Sequence, residues 1–232
     1  MTSFRISPQF QVSPKLLKGA LMGVNPSTKK VLNTLIFQYN PETLSRTLQP
    51  QIAGGEDSAR TEALRLEDAP IETIKFDIEL DATDRLEKAE TIAVEMGIYP
   101  QLAALETLIY PKTNQVKKRM EAANRGTIEI IPLEAPMTLL VWGVRRILPV
   151  RIANFNIAEE AYDVNLNPIR AKVTLDLRVL SYNDLIWKSF GSELFFTHHT
   201  NKENMAAIGS TSSLNEYGRP FYYDPSRPSQ NR

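Results

Sequence analysis

The chain alternates apolar and polar residues in several stretches of strand length, and two of these are nearly unbroken. From Glu72 to Leu80, Ile74, Phe76, Ile78 and Leu80 fall on one face, with Thr73, Lys75, Asp77 and Glu79 on the other. From Ile169 to Val179, Ile169, Ala171, Val173, Leu175, Leu177 and Val179 form an apolar row. Arg170, Lys172, Thr174, Asp176 and Arg178 form the polar row opposite. Strict two-residue alternation predicts strands with one dry and one wet face, the habit of antiparallel sheets.

Weaker patterns fill in the rest. Val31 to Tyr39 predicts an earlier strand, with Val31, Leu35, Phe37 and Tyr39 on one face and Asn33 as the exception; Asn40-Pro41 ends it. Residues 1–30, with three prolines, read as an irregular leader. Residues 49–70, polar and carrying Gly54-Gly55, read as a long loop or extended arm. Asp84 followed by Glu87 predicts a capped helix with Leu86, Ala89, Ala93 and Met96 at helical spacing, stopped by Gly97. Pro100 opens a second helix, whose apolar face is Leu102, Leu105, Leu108 and Ile109. Further strands are expected in "TIEIIP", "MTLLVWG" and "ILPVRIANFNIAEEAYD", where Pro149 predicts a bend or an edge. A short helix from Asn183-Asp184 reaching Phe196 or beyond and a Ser/Pro/Tyr-rich tail complete the chain.

The expected architecture is therefore α+β: an antiparallel β domain over 31–182 with a helical insertion at about 84–110, and a C-terminal extension over 183–232. Composition narrows the function. Lys+Arg and Asp+Glu are both 27 in 232 residues, so the chain lacks the basic excess that nucleic-acid binding demands. Neutrality leaves self-association unopposed. There is no cysteine, which removes thiolate nucleophiles, disulfides and zinc–sulfur sites. No stretch of about 20 apolar residues is present to span a bilayer. "MTSFRISPQFQVSPKLLKGALMG" lacks a signal peptide's apolar run, so cytoplasmic synthesis is expected.

Candidate chemistry is sparse. His198-His199 diverge on any regular element and have no third ligand, so they read as a solvated helix end. Gly54-Gly55 lacks the Lys-Ser/Thr of a phosphate loop, and Gly191-Ser192 lacks the frame of a nucleophile elbow. Asp77 with Glu79, and Glu159-Glu160, could supply a carboxylate pair, but nothing in the sequence marks a pocket around them. Lys117-Lys118-Arg119 reads as a solvated face. No catalytic, cofactor or metal site is expected. Trp142 reads as core; Trp187 and Phe195-Phe196 could anchor a partner. Tyr217, Phe221, Tyr222 and Tyr223 sit in a tail without a core of its own and read as a docking strap.

Taken in order, "LIFQYNPETLSRT", "IETIKFDIELDATD", "PMTLLVWG" and "VRIANFNIAEEAYDVNLNPIRAKVTLDLRVLSY" resemble the tube-like domain of contractile injection systems, the phage-tail-like particles that drive an inner tube from a sheath. The matching elements are Phe37–Pro41 with its Asn-Pro, Trp142-Gly143, Asn167–Ala171 ("NPIRA") and the helix Gly97–Pro111. The resemblance covers about Leu32 to Tyr182. It implies a tail-tube-like barrel or sandwich and a hexameric ring of this chain within the particle. Its partners would be the inner-tube subunits, the spike and the baseplate wedge proteins, without nucleic acid or direct membrane insertion. Many relatives add a LysM module; here the tail is expected to take over part of that contact. A tube lumen needs a polar wall of mixed sign, and Lys75, Asp77, Glu79, Arg170, Lys172, Asp176 and Arg178 are its candidate residues. The alternative is a free-standing β domain that binds a small ligand or polysaccharide.

Overall fold

The computed structural model describes residues 17–52, 65–126 and 135–209. Its elements are β1 (Ala20–Val24), β2 (Val31–Ile36), β3 (Leu44–Ile52), β4 (Leu66–Asp81), α1 (Thr83–Glu87), α2 (Thr91–Met96), α3 (Tyr99–Glu106), α4 (Thr113–Asn124), β5 (Met137–Val141), β6 (Ile147–Tyr162), β7 (Pro168–Val179) and α5 (Phe190–Gly209). Among the described residues the strands form one antiparallel sheet in the order β2-β1-β5-β6-β7-β4-β3. The α+β antiparallel expectation holds. The barrel does not: β2 and β3 are edges, with no ladder joining them among the described residues.

The two alternating stretches lie next to each other. In β4 and β7, Ile74 opposes Leu177, Phe76 opposes Leu175, and Ile78 opposes Val173, so the apolar rows merge into one dry face. All six side chains are buried, each contributing about 1.5–3 kcal/mol by leaving water. Leu148 and Val150 of β6, Leu140 of β5, Leu21 of β1 and Leu35 of β2 extend this face. Leu102 and Leu105 of α3, with Ile98 and Leu108, cover it, and Phe195 of α5 covers another part. α4 carries the Lys117-Lys118-Arg119 run and buries none of its residues.

Several expectations are corrected. The leader reading of 1–30 fails at Ala20–Val24, an apolar strand seated between β2 and β5. The loop or arm expected at 49–70 is corrected at both flanks: 49–52 belong to β3 and 66–70 to β4, while 53–64 lie outside the described residues. The helix expected from Asp84 to Gly97 is two helices, broken at Ala89 with φ 51°. Ala82, not Asp84, is the N-cap of α1, and the Asp81 carboxylate accepts from the Thr83 backbone N–H at 2.7 Å. Pro149 sits inside β6 rather than at a sheet edge. Its carbonyl accepts from Leu180, just past the end of β7, so its missing N–H falls where the ladder stops. α5 starts at Phe190, because the Asp184 carboxylate accepts from Ser181 N–H and holds a turn there instead. The "TIEIIP" strand lies outside the described residues.

Candidate functional site: the polar face of the sheet

The polar rows of β4 and β7 also meet. Lys75 opposes Asp176, Asp77 opposes Thr174, Glu79 opposes Lys172 and Asp81 opposes Arg170. The register brings opposite charges together: Lys75 Nζ lies 3.5 Å from Asp176, Lys172 Nζ 2.8 Å from Asp77, and Arg170 Nε 2.8 Å from Asp81. Arg178 turns off the row to Asp184 at 3.1 Å. Hydrogen bonds from Lys172 and Thr174 hold the Asp77 carboxyl below its usual range, and the same contact raises Lys172. Burial pulls the Asp81 carboxyl up, but bonds from Thr83 and Arg170 outweigh it and leave it lowered. Arg170 is raised in turn by Asp81. All seven expected wall residues therefore share one wet face, where charges of both signs meet across the β4–β7 ladder.

A concavity of about 560 Å³ opens on this face between Lys75, Asp77, Glu79 and Lys172 on one side and Tyr39–Thr43 on the other. The Asn-Pro break explains how that second wall is fixed. Asn40 mimics a backbone strand partner: its Oδ1 accepts from Gly19 N–H at 2.8 Å, and its Nδ2 donates to Leu17 O at 2.9 Å. The Gln38 side-chain oxygen accepts from Asp81 N–H at 3.0 Å. Phe37 is buried against Phe76 and Trp142, with ring centroids 5.6 and 6.4 Å away. Phe37 and Gln38 thus reach from the β2 edge to β4, curling the open sheet.

No family model matches the chain, and no curated protein is similar to it.

The other elements of the resemblance have local structural reasons. Gly143, with φ 78°, turns the chain between β5 and β6, where Trp142 N–H donates to Arg146 O at 2.7 Å. Asn167 donates from Nδ2 to Glu95 O at 3.1 Å, and Pro168 O accepts from Ile98 N–H at 2.9 Å. The β6–β7 hairpin is thereby latched to the joint between α2 and α3.

A second polar cluster escaped the sequence reading. Glu72 is 5% exposed on the dry face, bound by Arg46 Nη2 at 2.6 Å and by Lys202 Nζ at 3.2 Å. Burial raises its carboxyl, but Lys202 and Arg46 outweigh that and hold it below its usual range. The signal was legible: Glu72 shares parity with Ile74 and Phe76, so a charge stood in an apolar row. His198 corrects the expected solvated helix end. It is 6% exposed, with Nδ1 3.4 Å from Arg145 O, whereas His199 is exposed and faces Glu203. Burial, helped by nearby Lys202, holds the His198 imidazole below its usual value. Among the described residues no group of three or more His, Cys, Asp or Glu could hold a metal, and no helix is long and apolar enough to cross a membrane.

Of the aromatic anchors, Trp142 packs against the core, Phe195 points inward, and Trp187 stays 68% exposed with its ring 5.4 Å from Phe196. Tyr217, Phe221, Tyr222 and Tyr223 lie outside the described residues.

Proposed function

We propose that this protein is a ring-forming structural component of a contractile injection system, with its polar sheet face turned to the lumen and its ring joining the inner tube to the spike and baseplate. The observation that carries the reading is the wet face built by β4 and β7. Its lysines, arginines and carboxylates pair in place through Lys75–Asp176, Asp77–Lys172 and Asp81–Arg170. A face neutralised within itself suits a wall past which cargo must slide, because no single sign is left to hold it. The two edges β2 and β3, which have no outer partner strand among the described residues, support a role in which copies of the sheet meet side by side. The resemblance of Phe37–Pro41, Trp142-Gly143 and Asn167–Ala171 to the tube-like domain points the same way.

The test is sedimentation of native lysate with the protein followed by antibody and the pellet imaged by negative stain. Recovery in sheathed, megadalton particles is expected. Recovery only in the supernatant, under conditions that pellet such particles, favours the free-standing ligand-binding domain, with the 560 Å³ concavity as its place to bind.

A further inference from the structure

The two halves of α5 are held to the sheet in different ways. The first turns are an anchor. Gly191 sits so close to β5 that a Cβ there would lie 2.9 Å from Met137 Sδ, and Phe195 is buried in the core. The outer half, His198 to Gly209, is held by polar groups. His198 is buried, Asn201 and Lys202 are half-buried, and Glu203 to Gly209 are exposed. This half reaches the sheet through His198 Nδ1, 3.4 Å from Arg145 O, and through Lys202 Nζ, 3.2 Å from Glu72.

The His198 ring sits where a neutral imidazole is tolerated and a charged one is not. Its Nε2 is buried without a hydrogen-bond partner among the described residues. The charges around it come from four elements: Lys202 one turn on in α5, Arg146 in the turn from β5, Glu72 of β4, and Arg46 of β3 bound to Glu72. Three of these are cations, and the carboxylate is already shared by Arg46 and Lys202. A proton on Nε2 would add a buried charge with no acceptor, repelled by Lys202 and Arg146. Exposed in an open helix, the same ring takes that proton at its ordinary value of 6.5. The closed form therefore binds fewer protons than the open one, and acid favours opening. Freed from the sheet, a segment of about 12 residues is marginal as a helix in water, so opening also melts it.

We propose that the outer half of α5 is an acid-released clasp: neutral His198 lets it close on β4 and the β5–β6 turn, and protonation of the ring releases His198 to Gly209 while the anchor and the sheet stay folded. The clasp does not depend on the ring reading above.

The test is hydrogen exchange of the full-length protein, followed amide by amide by NMR and corrected for the intrinsic rate at each pH. Protection of the 198–209 amides is expected to fall by up to about tenfold for each unit below about pH 6.5, while β4 and β7 keep theirs. His198→Gln should remove that fall. His199→Gln, on the exposed side of the same helix and facing Glu203, should leave it in place. Unchanged circular dichroism at neutral pH shows that both variants are folded. Two results from the unsubstituted chain alone overturn the clasp: outer-half protection that ignores pH, or protection lost from helix and sheet together. A His198→Gln chain that still opens in acid overturns it as well.

Discussion

Glu72 shows what one misplaced charge costs and stabilises. A carboxylate on the dry face survives because Arg46 from β3 and Lys202 from α5 converge on it, so a single residue ties both elements to β4. Glu72→Ala should destabilise the fold by about 2 kcal/mol, below the 3–5 typical of fully buried pairs, since Arg46 and Lys202 keep access to water. Thermal unfolding should register a fall of roughly 4–8 °C. The pH profile separates this residue from His198. The imidazole is held neutral in the fold, so its contribution is full above about pH 6.5 and fades as pH falls below that value. The Glu72 contribution is present above about pH 4.3 and is lost as pH drops through the lowered native value. His198→Gln should flatten the first limb and Glu72→Gln the second, measured by urea unfolding across pH. A profile that neither variant changes would remove both groups from the account.

Among the elements, those with strict periodicity could be read from the chain and those fixed by side-chain bonds to distant backbone could not. β4 and β7 announce themselves because every second residue obeys one rule. β1 is only five residues long, and its seat in the sheet is decided by partners at Ile36 and Val141 that no local window contains. The start of α1 and the turn before α5 are hidden from a local window because Asp81 and Asp184 bind backbone in place of extending a helix, and the break at Ala89 rests on a positive φ at a residue that carries no turn signal. Of the candidate site, the seven wall residues were legible as rows; their ion pairs depend on the β4–β7 register, which the sequence does not print. The joint between the hairpin and α2 makes a sharp test. Gly97 has φ 59°, and a Cβ there would lie 2.1 Å from Pro168 O. The oxygen is backbone and the Cβ position is fixed by the Gly97 backbone, so neither can swing aside. Gly97→Ala should cost roughly 3 kcal/mol or more, seen as a lower urea midpoint at unchanged slope. A variant as stable as the parent would mean that the hairpin is not latched there.

For the whole molecule, the sheet face and the arm make separate demands. Asp77→Lys breaks the pair with Lys172 on the wet face but touches no core residue. It should leave the melting temperature nearly unchanged while lowering the yield of loaded particles; normal loading would argue against a lumen wall. The arm needs revised limits, since Leu66–Asp68 are strand. Deleting residues 53–64, with a short Gly-Ser joint, should keep the fold by circular dichroism and stop assembly. Normal particles from that deletion would free the arm of any assembly role.

The place of β1 has a consequence for how the chain acquires this shape. Ala20–Val24 is almost wholly buried, yet one of its two neighbours, β5, arrives about 120 positions later. At roughly 5–20 residues per second, a ribosome leaves the β1–β2 hairpin waiting on the order of ten seconds with an apolar edge open. Pairings of such long sequence separation also place refolding toward the slow, millisecond-to-second range. The sheet is thus completed from its late strands backward, and the newborn N-terminal hairpin is the part of this protein with most to gain from a chaperone.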